Sequence, residues 1–238
     1  MWLIVGCGSE TPPAGIRALE PAGHIGDEAI DESSGITFLD GAYYTHNDSG
    51  DDPIVYRSTE FTFPSGETEH LSVPGAEAVD WEDITTLSGD LVLGDIGDNR
   101  RERAHLTLYR VRYHAPAAGE PARAQAGEHA GAQAGRLTLV AAYPFRYPDA
   151  RHDGEALFSI DETLYIVSKA RDEKVTNVYR FDRLVDAGDL PAGEVNVPTL
   201  VASLDIGEGE QVTAGDYHAG TDRVVLLTYT HLLQFPRD

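Results

Sequence analysis

The sequence predicts an all-β fold, a β-propeller of four-stranded antiparallel blades, and three observations carry that expectation. Short apolar strands separated by Gly, Asp and Pro turns run through residues 27–238. Four hairpins share one internal spacing of seven residues: Ile36 to Tyr43, Ile84 to Leu91, Leu157 to Leu164 and Tyr217 to Val224. A third strand follows each, at Val55-Tyr56-Arg57, Leu108-Tyr109-Arg110, Val178-Tyr179-Arg180 and, less closely, Leu232-Leu233-Gln234. Repeated units of this size, each covering its neighbour's face, are the mark of a propeller.

Taken in order, residues 1–26 read as a tether, Pro- and Gly-punctuated, with a strand expected around Ile16 to Leu19. The first hairpin joins Ser33 to Phe38 and Ala42 to Asp48 through Asp40-Gly41, a two-residue turn signal. Ile54 to Arg57 and His70 to Val73 complete that unit. In the second, Ile84 to Thr86 and Leu91 to Leu93 flank Ser88-Gly89-Asp90, and a fourth strand is expected over Leu137 to Tyr143. Residues 115–135 between its last strands repeat Ala, Gly, Pro and Gln, a low-complexity insertion. It also explains the uneven spacing of the repeats. The third unit ends on Leu200 to Leu204. The fourth stops after its third strand, so either Ile16 to Leu19 closes a ring of four blades, or the chain is a piece of a five- or six-bladed ring.

Composition limits the function classes. Forty acidic against 18 basic residues give a formal net charge of −22, which disfavours nucleic acid and suits cations or basic surfaces. The single cysteine, Cys7, excludes an internal disulfide framework. Ile4-Val5-Gly6-Cys7 after Met1-Trp2-Leu3 resembles the lipobox of bacterial lipoproteins, in which the cysteine is lipidated; here the signal segment before it is curtailed. The bland alternative is an idle thiol. Membrane contact is expected only through a lipid on Cys7, and the chain is expected to be a monomer.

The candidate site is acidic. Antiparallel pairing sets Asp80, Glu82 and Asp83, at the start of one strand, near Asp95 and Asp98, at the end of the next. Five carboxylates on one rim repel unless a cation or hydrogen-bond donors compensate. Calcium, a hard cation with oxygen ligands, is the sharp reading, and bonding to backbone N–H groups is the bland one. Propeller geometry adds Glu32, His46, Asn47 and Asp48 from the first unit, His152, Asp153, Glu155 and Lys169 from the third, and Asp216 from the fourth. Asp48, Asp153, Glu155, Lys169 and Asp216 are therefore candidate binding residues, and His46 and His152 candidate general bases.

Glu32-Ser33-Ser34-Gly35, Asp80-Trp81-Glu82-Asp83-Ile84, Gly94-Asp95-Ile96-Gly97-Asp98-Asn99 and Asp153-Gly154-Glu155-Ala156-Leu157 together resemble a bacterial family of secreted or lipoprotein-like propellers without an assigned activity. More distantly the chain is similar to the SdiA-regulated and phytase-like esterase propellers. The resemblance covers nearly all of Gly26 to Phe235 and implies a propeller in the cell envelope or secreted; it implies little about chemistry. Three functions stay open. The first is a non-enzymatic propeller that binds calcium and presents its acidic face to a protein or small-molecule partner. The others are a metal-dependent hydrolase of phosphate or carboxylic esters, and a metal-free protein-binding ring. No nucleophile elbow, P-loop, dinucleotide fingerprint or H-E-x-x-H pair is present.

Overall fold

The computed structural model describes residues 2–5, 20–116, 135–171 and 175–237. Cys7, the strand expected at Ile16 to Leu19 and most of the 115–135 insertion lie outside them. A two-stranded sheet pairs β1 (Trp2–Val5) with β2 (Glu20–His24). Four antiparallel blades follow in chain order. Blade 1 is β3 (Ser33–Leu39), β4 (Ala42–Asn47), β5 (Ile54–Ser58) and β6 (Glu69–Ser72). Blade 2 is β7 (Trp81–Leu87), β8 (Asp90–Asp95), β9 (Leu106–His114) and β10 (Arg136–Phe145). Blade 3 is β11 (Gly154–Ile160), β12 (Thr163–Ser168), β13 (Val175–Arg180) and β14 (Thr199–Asp205). Blade 4 has three strands among the described residues, β15 (Val212–His218), β16 (Arg223–Thr228) and β17 (Leu232–Pro236). The first strand of each blade is innermost, and β3, β7, β11 and β15 approach one another around the axis. The chain is a four-bladed β-propeller.

The turn residues account for three of the hairpins. Asp40-Gly41, Ser88-Gly89 and Asp161-Glu162 all take positive φ at both positions, the backbone of a two-residue turn that matches strand twist. Asp90 is the first residue of β8, not part of the turn as its sequence neighbours suggest. It is buried and accepts from Arg110 Nε (2.7 Å) and Arg112 Nε (2.6 Å). The fourth hairpin differs. His218 pairs with Arg223 across a four-residue loop, so the shared seven-residue spacing aligns Tyr217 with Ile84 two residues out of place. Gly215, opposite Leu226, holds the position that Ile84 and Leu157 hold opposite Leu93 and Ile166.

Each seam between successive blades has its own apolar core. Tyr44, Val55, Trp81 and Leu93 fill the first, Val92, Phe145, Leu157 and Tyr179 the second, and Phe158, Val167, Val212 and Leu226 the third. Trp81 is thus a packing residue, its indole Nε1 donating to Glu77 O at 2.8 Å. The recurrent arginines sit at blade edges in ion pairs, Arg57 with Glu69, Arg110 with Asp90 and Arg180 with Asp182.

Candidate functional site

All four inner hairpins carry a one-residue bulge near the start of their first strand: between Ser33 and Ile36, Trp81 and Asp83, Gly154 and Ala156, and Val212 and Ala214. A bulge leaves one residue unpaired and turns its side chain out of the ladder. In blades 2 and 3 that residue is a glutamate, Glu82 and Glu155, and in blade 4 it is Thr213. The bulge therefore places two buried carboxylates at the axis.

The acids expected on the rim are handled in two ways. One set is held by donors. Asp83 is fully buried and accepts from Ile84 N (2.8 Å) in its own strand, from Leu157 N (2.9 Å) in β11 and from Gly215 N (3.2 Å) in β15. One side chain thus ties three inner strands together, and burial still pushes its pKa well up against those three bonds. Asp95 accepts from Asp80 N (2.9 Å) and from the Arg103 guanidinium (2.8 Å). Asp98 takes Glu102 N (2.8 Å) and Arg103 N (3.0 Å), ordering the β8–β9 connection. Asp153 takes Asp98 N (2.7 Å) from the neighbouring blade and Arg171 Nε (2.8 Å). Of the five acids expected to hold a metal, Asp83, Asp95 and Asp98 are bonded in this way.

The second set faces itself. Carboxylate oxygens of Asp48, Asp80 and Glu82 lie within 4.8 Å of one another, and so do those of Glu82, Asp153 and Glu155. Glu82 belongs to both groups. They are not equivalent, because cations already serve the second: Lys169 Nζ bonds Glu155 Oε1 at 2.5 Å, and Arg171 bonds Asp153. Burial would lower the Lys169 pKa, and the bond to Glu155 holds it up instead. Glu155 is raised to about 7, by burial and against its bond to Lys169. In the first group the Asp80 carboxylate accepts, among the described residues, only a long bond from Asn99 Nδ2 (3.4 Å), and Asp48 accepts from the N–H of its neighbour Ser49. No hydrogen bond among the described residues ends on the Glu82 carboxylate. Burial, then Glu155, Asp48 and Asp80, push its pKa up to about 10. Gly97 lies under both acids, where a Cβ would come within 2.3 Å of Glu82 Oε1 and 2.4 Å of Asp80 Oδ2.

The remaining expected residues are elsewhere. His46 is fully buried edge-on to Trp81 with Nδ1 bonded to Asn47 O (2.7 Å), and burial lowers its pKa. His152 packs against Tyr147 and bonds Asp149 at 3.2 Å. Asn47 is structural, donating to Ala29 O and accepting from Glu32 N. Asp216 is exposed in the middle of β15, because the longer fourth hairpin shifts it along the strand. Arg103 and Arg171, which neutralise rim acids, were not among the residues expected there. Arg103 had a visible signal, the run Arg100-Arg101-Glu102-Arg103 directly after Asp98-Asn99.

Among solved structures the chain is similar to the computationally designed Ika4 protein, at 9% identity and TM-score 0.38 over 89% of this chain and 95% of that one. It is also similar to the designed Ika8 protein, at 10% and 0.37 over 86% and 45%. A third likeness is to the β-propeller domain of Cps50 (Swd1) from Myceliophteria thermophila, at 9% and 0.40 over 94% and 61%. No family model matches the chain, and no curated protein matches it. Among the described residues no helix is long and apolar enough to cross a membrane.

Proposed function

We propose that the chain is a non-enzymatic propeller that binds a divalent cation, calcium by its ligand type, between Asp48, Asp80 and Glu82. In this reading the ion-bearing face is presented to a protein or small-molecule partner in the cell envelope or outside the cell, the setting that the motifs and Cys7 resemble. The supporting observation is Glu82: a buried carboxylate ringed by other carboxylates, with no donor bonded to it. Such a group either keeps a proton or meets a cation, and carboxylate oxygens are the ligands hard cations take.

The ester-hydrolase reading needs a base beside an ion-bound water. His46 and His152, its candidates, are bonded within blade packing instead. The metal-free reading fits Asp83 and Asp95, whose oxygens have donors, and requires Glu82 to keep a proton amid the carboxylates around it.

Thermal unfolding in EDTA and then across a calcium titration, with magnesium as control, tests the proposal. Calcium at about a hundred times its dissociation constant adds roughly 2.7 kcal/mol, a rise of several degrees. The rise should vanish in Glu82→Gln and persist in Asp216→Asn. No shift, or one that magnesium matches and salt removes, would overturn it.

A further inference from the structure

Beside the acidic rim, at the seam of blades 2 and 3, lies a cavity of about 300 Å³ with the opposite chemistry. The β8–β9 connection contributes Arg103 and His105 to its lining, and the β10–β11 connection contributes Arg146, Tyr147, Arg151 and His152. Two carboxylates also line it, and both are already engaged. Asp98 accepts from the backbone of Glu102 and Arg103, and Asp149 accepts from His152 Nε2 (3.2 Å) and Tyr179 Oη (3.1 Å). The side chains of Arg146 and His105, by contrast, make no ion pair or hydrogen bond among the described residues, Arg146 bonding only through its backbone N–H to Asn196 O (3.1 Å). The Tyr147 hydroxyl is likewise buried without a partner. A chain of net charge −22 that gathers three of its sixteen arginines around one hollow, one of them with a side chain that has no partner among the described residues, has a local preference for anions that its overall charge opposes.

We propose that this cavity binds a small oxyanion, a carboxylate or a phosphate, held by the Arg146 and Arg151 guanidiniums. Guanidinium forks match both groups with paired N–H donors. The volume is at the lower end of small-molecule sites and suits a small anion. The distant carboxylates that repel an anion are screened beyond about 8 Å at physiological salt, whereas contact with the cavity arginines is not. Binding is therefore expected to survive physiological ionic strength, Asp98 and Asp149 in the lining being engaged by their own donors.

The test is isothermal titration calorimetry of the whole chain in buffer stripped of divalent cations over a chelating resin, at 0.15 M salt, against inorganic phosphate and separately against citrate. Removing the cations beforehand keeps the outcome independent of the cation proposal without adding a competing carboxylate. Saturable one-to-one binding of either anion is expected, weakened about tenfold or more in Arg146→Gln/Arg151→Gln and unchanged in Arg223→Gln on blade 4. Arg146 and Arg151 are both exposed, so the melting temperature of the double variant should match that of the parent. Phosphate alone would assign a tetrahedral ligand and citrate alone a carboxylate. Saturable binding of neither, binding that the double variant leaves intact, or an equal loss in Arg223→Gln would overturn the proposal.

Discussion

The two sides of the rim pose the same electrostatic problem and solve it differently. On the seam of blades 2 and 3, every acid but Glu82, which both groups share, has a donor from the next strand or blade: Leu157 N and Gly215 N for Asp83, Asp98 N and Arg171 for Asp153, Lys169 for Glu155. Toward blade 1, Asp48, Asp80 and Glu82 face one another with one long bond from Asn99 and one from the adjacent Ser49 backbone. The difference shows that an acidic cluster in a sequence is not one object. Where backbone N–H groups converge, carboxylates fasten blades; where they do not, the charge is left for a proton or an ion.

The largest test of the fastened side is Asp83→Ala. It leaves the N–H groups of Ile84, Leu157 and Gly215 without acceptors, at roughly 1–3 kcal/mol for each buried unsatisfied group. A loss of about 3–5 kcal/mol in urea unfolding is expected, with the calcium-induced shift retained. A loss under about 1 kcal/mol would mean that Asp83 does not fasten the three strands.

Next is Lys169→Met, which strips Glu155 of its cation. Breaking a buried pair from one side costs about 3 kcal/mol. The cost should appear at pH 8 and shrink by pH 5, where Glu155 takes a proton and no longer needs a partner. Calcium affinity should rise in this variant, since the second carboxylate group loses its competitor. An unchanged affinity would break the distinction between the two sides.

The smallest expected effect concerns pH. Glu82 has a folded pKa of about 10, above its unfolded value, so the folded state holds a proton that the unfolded state has released. Its contribution is fully present below the unfolded pKa and is lost as pH climbs toward 10. Between pH 7 and 9 in EDTA, stability should fall by up to roughly 1.4 kcal/mol per pH unit on this group alone. Glu82→Gln should remove that slope and be the more stable of the two at pH 7, where the folded parent already holds a proton that its unfolded chain has released. Chemical unfolding at three pH values reads the difference.

Much of the fold was legible in the sequence. Alternating strands and turn dipeptides such as Asp40-Gly41 and Ser88-Gly89 act locally, and the first three hairpins follow from them. The fourth was misregistered because a four-residue loop and a shifted strand preserve the same spacing that a two-residue turn produces. The acidic rim was legible as a concentration of carboxylates, but its division was not. Whether Asp83 meets Leu157 N, 74 residues away, or Gly215 N, 132 away, depends on how blades approach. A bulge at Glu82 is likewise invisible in a run of residues that reads as an ordinary strand start.

The decisive measurement is the number of protons released when calcium binds. Calorimetric titration at pH 8 in two buffers of different ionisation enthalpy gives that number, because ions displace protons from their ligands. If Glu82 holds a proton in place of a cation, calcium should release about one proton from the native chain and essentially none from Glu82→Gln. Calcium binding without proton release, or no binding at all, would contradict the assignment of Glu82 as the uncompensated group at the axis.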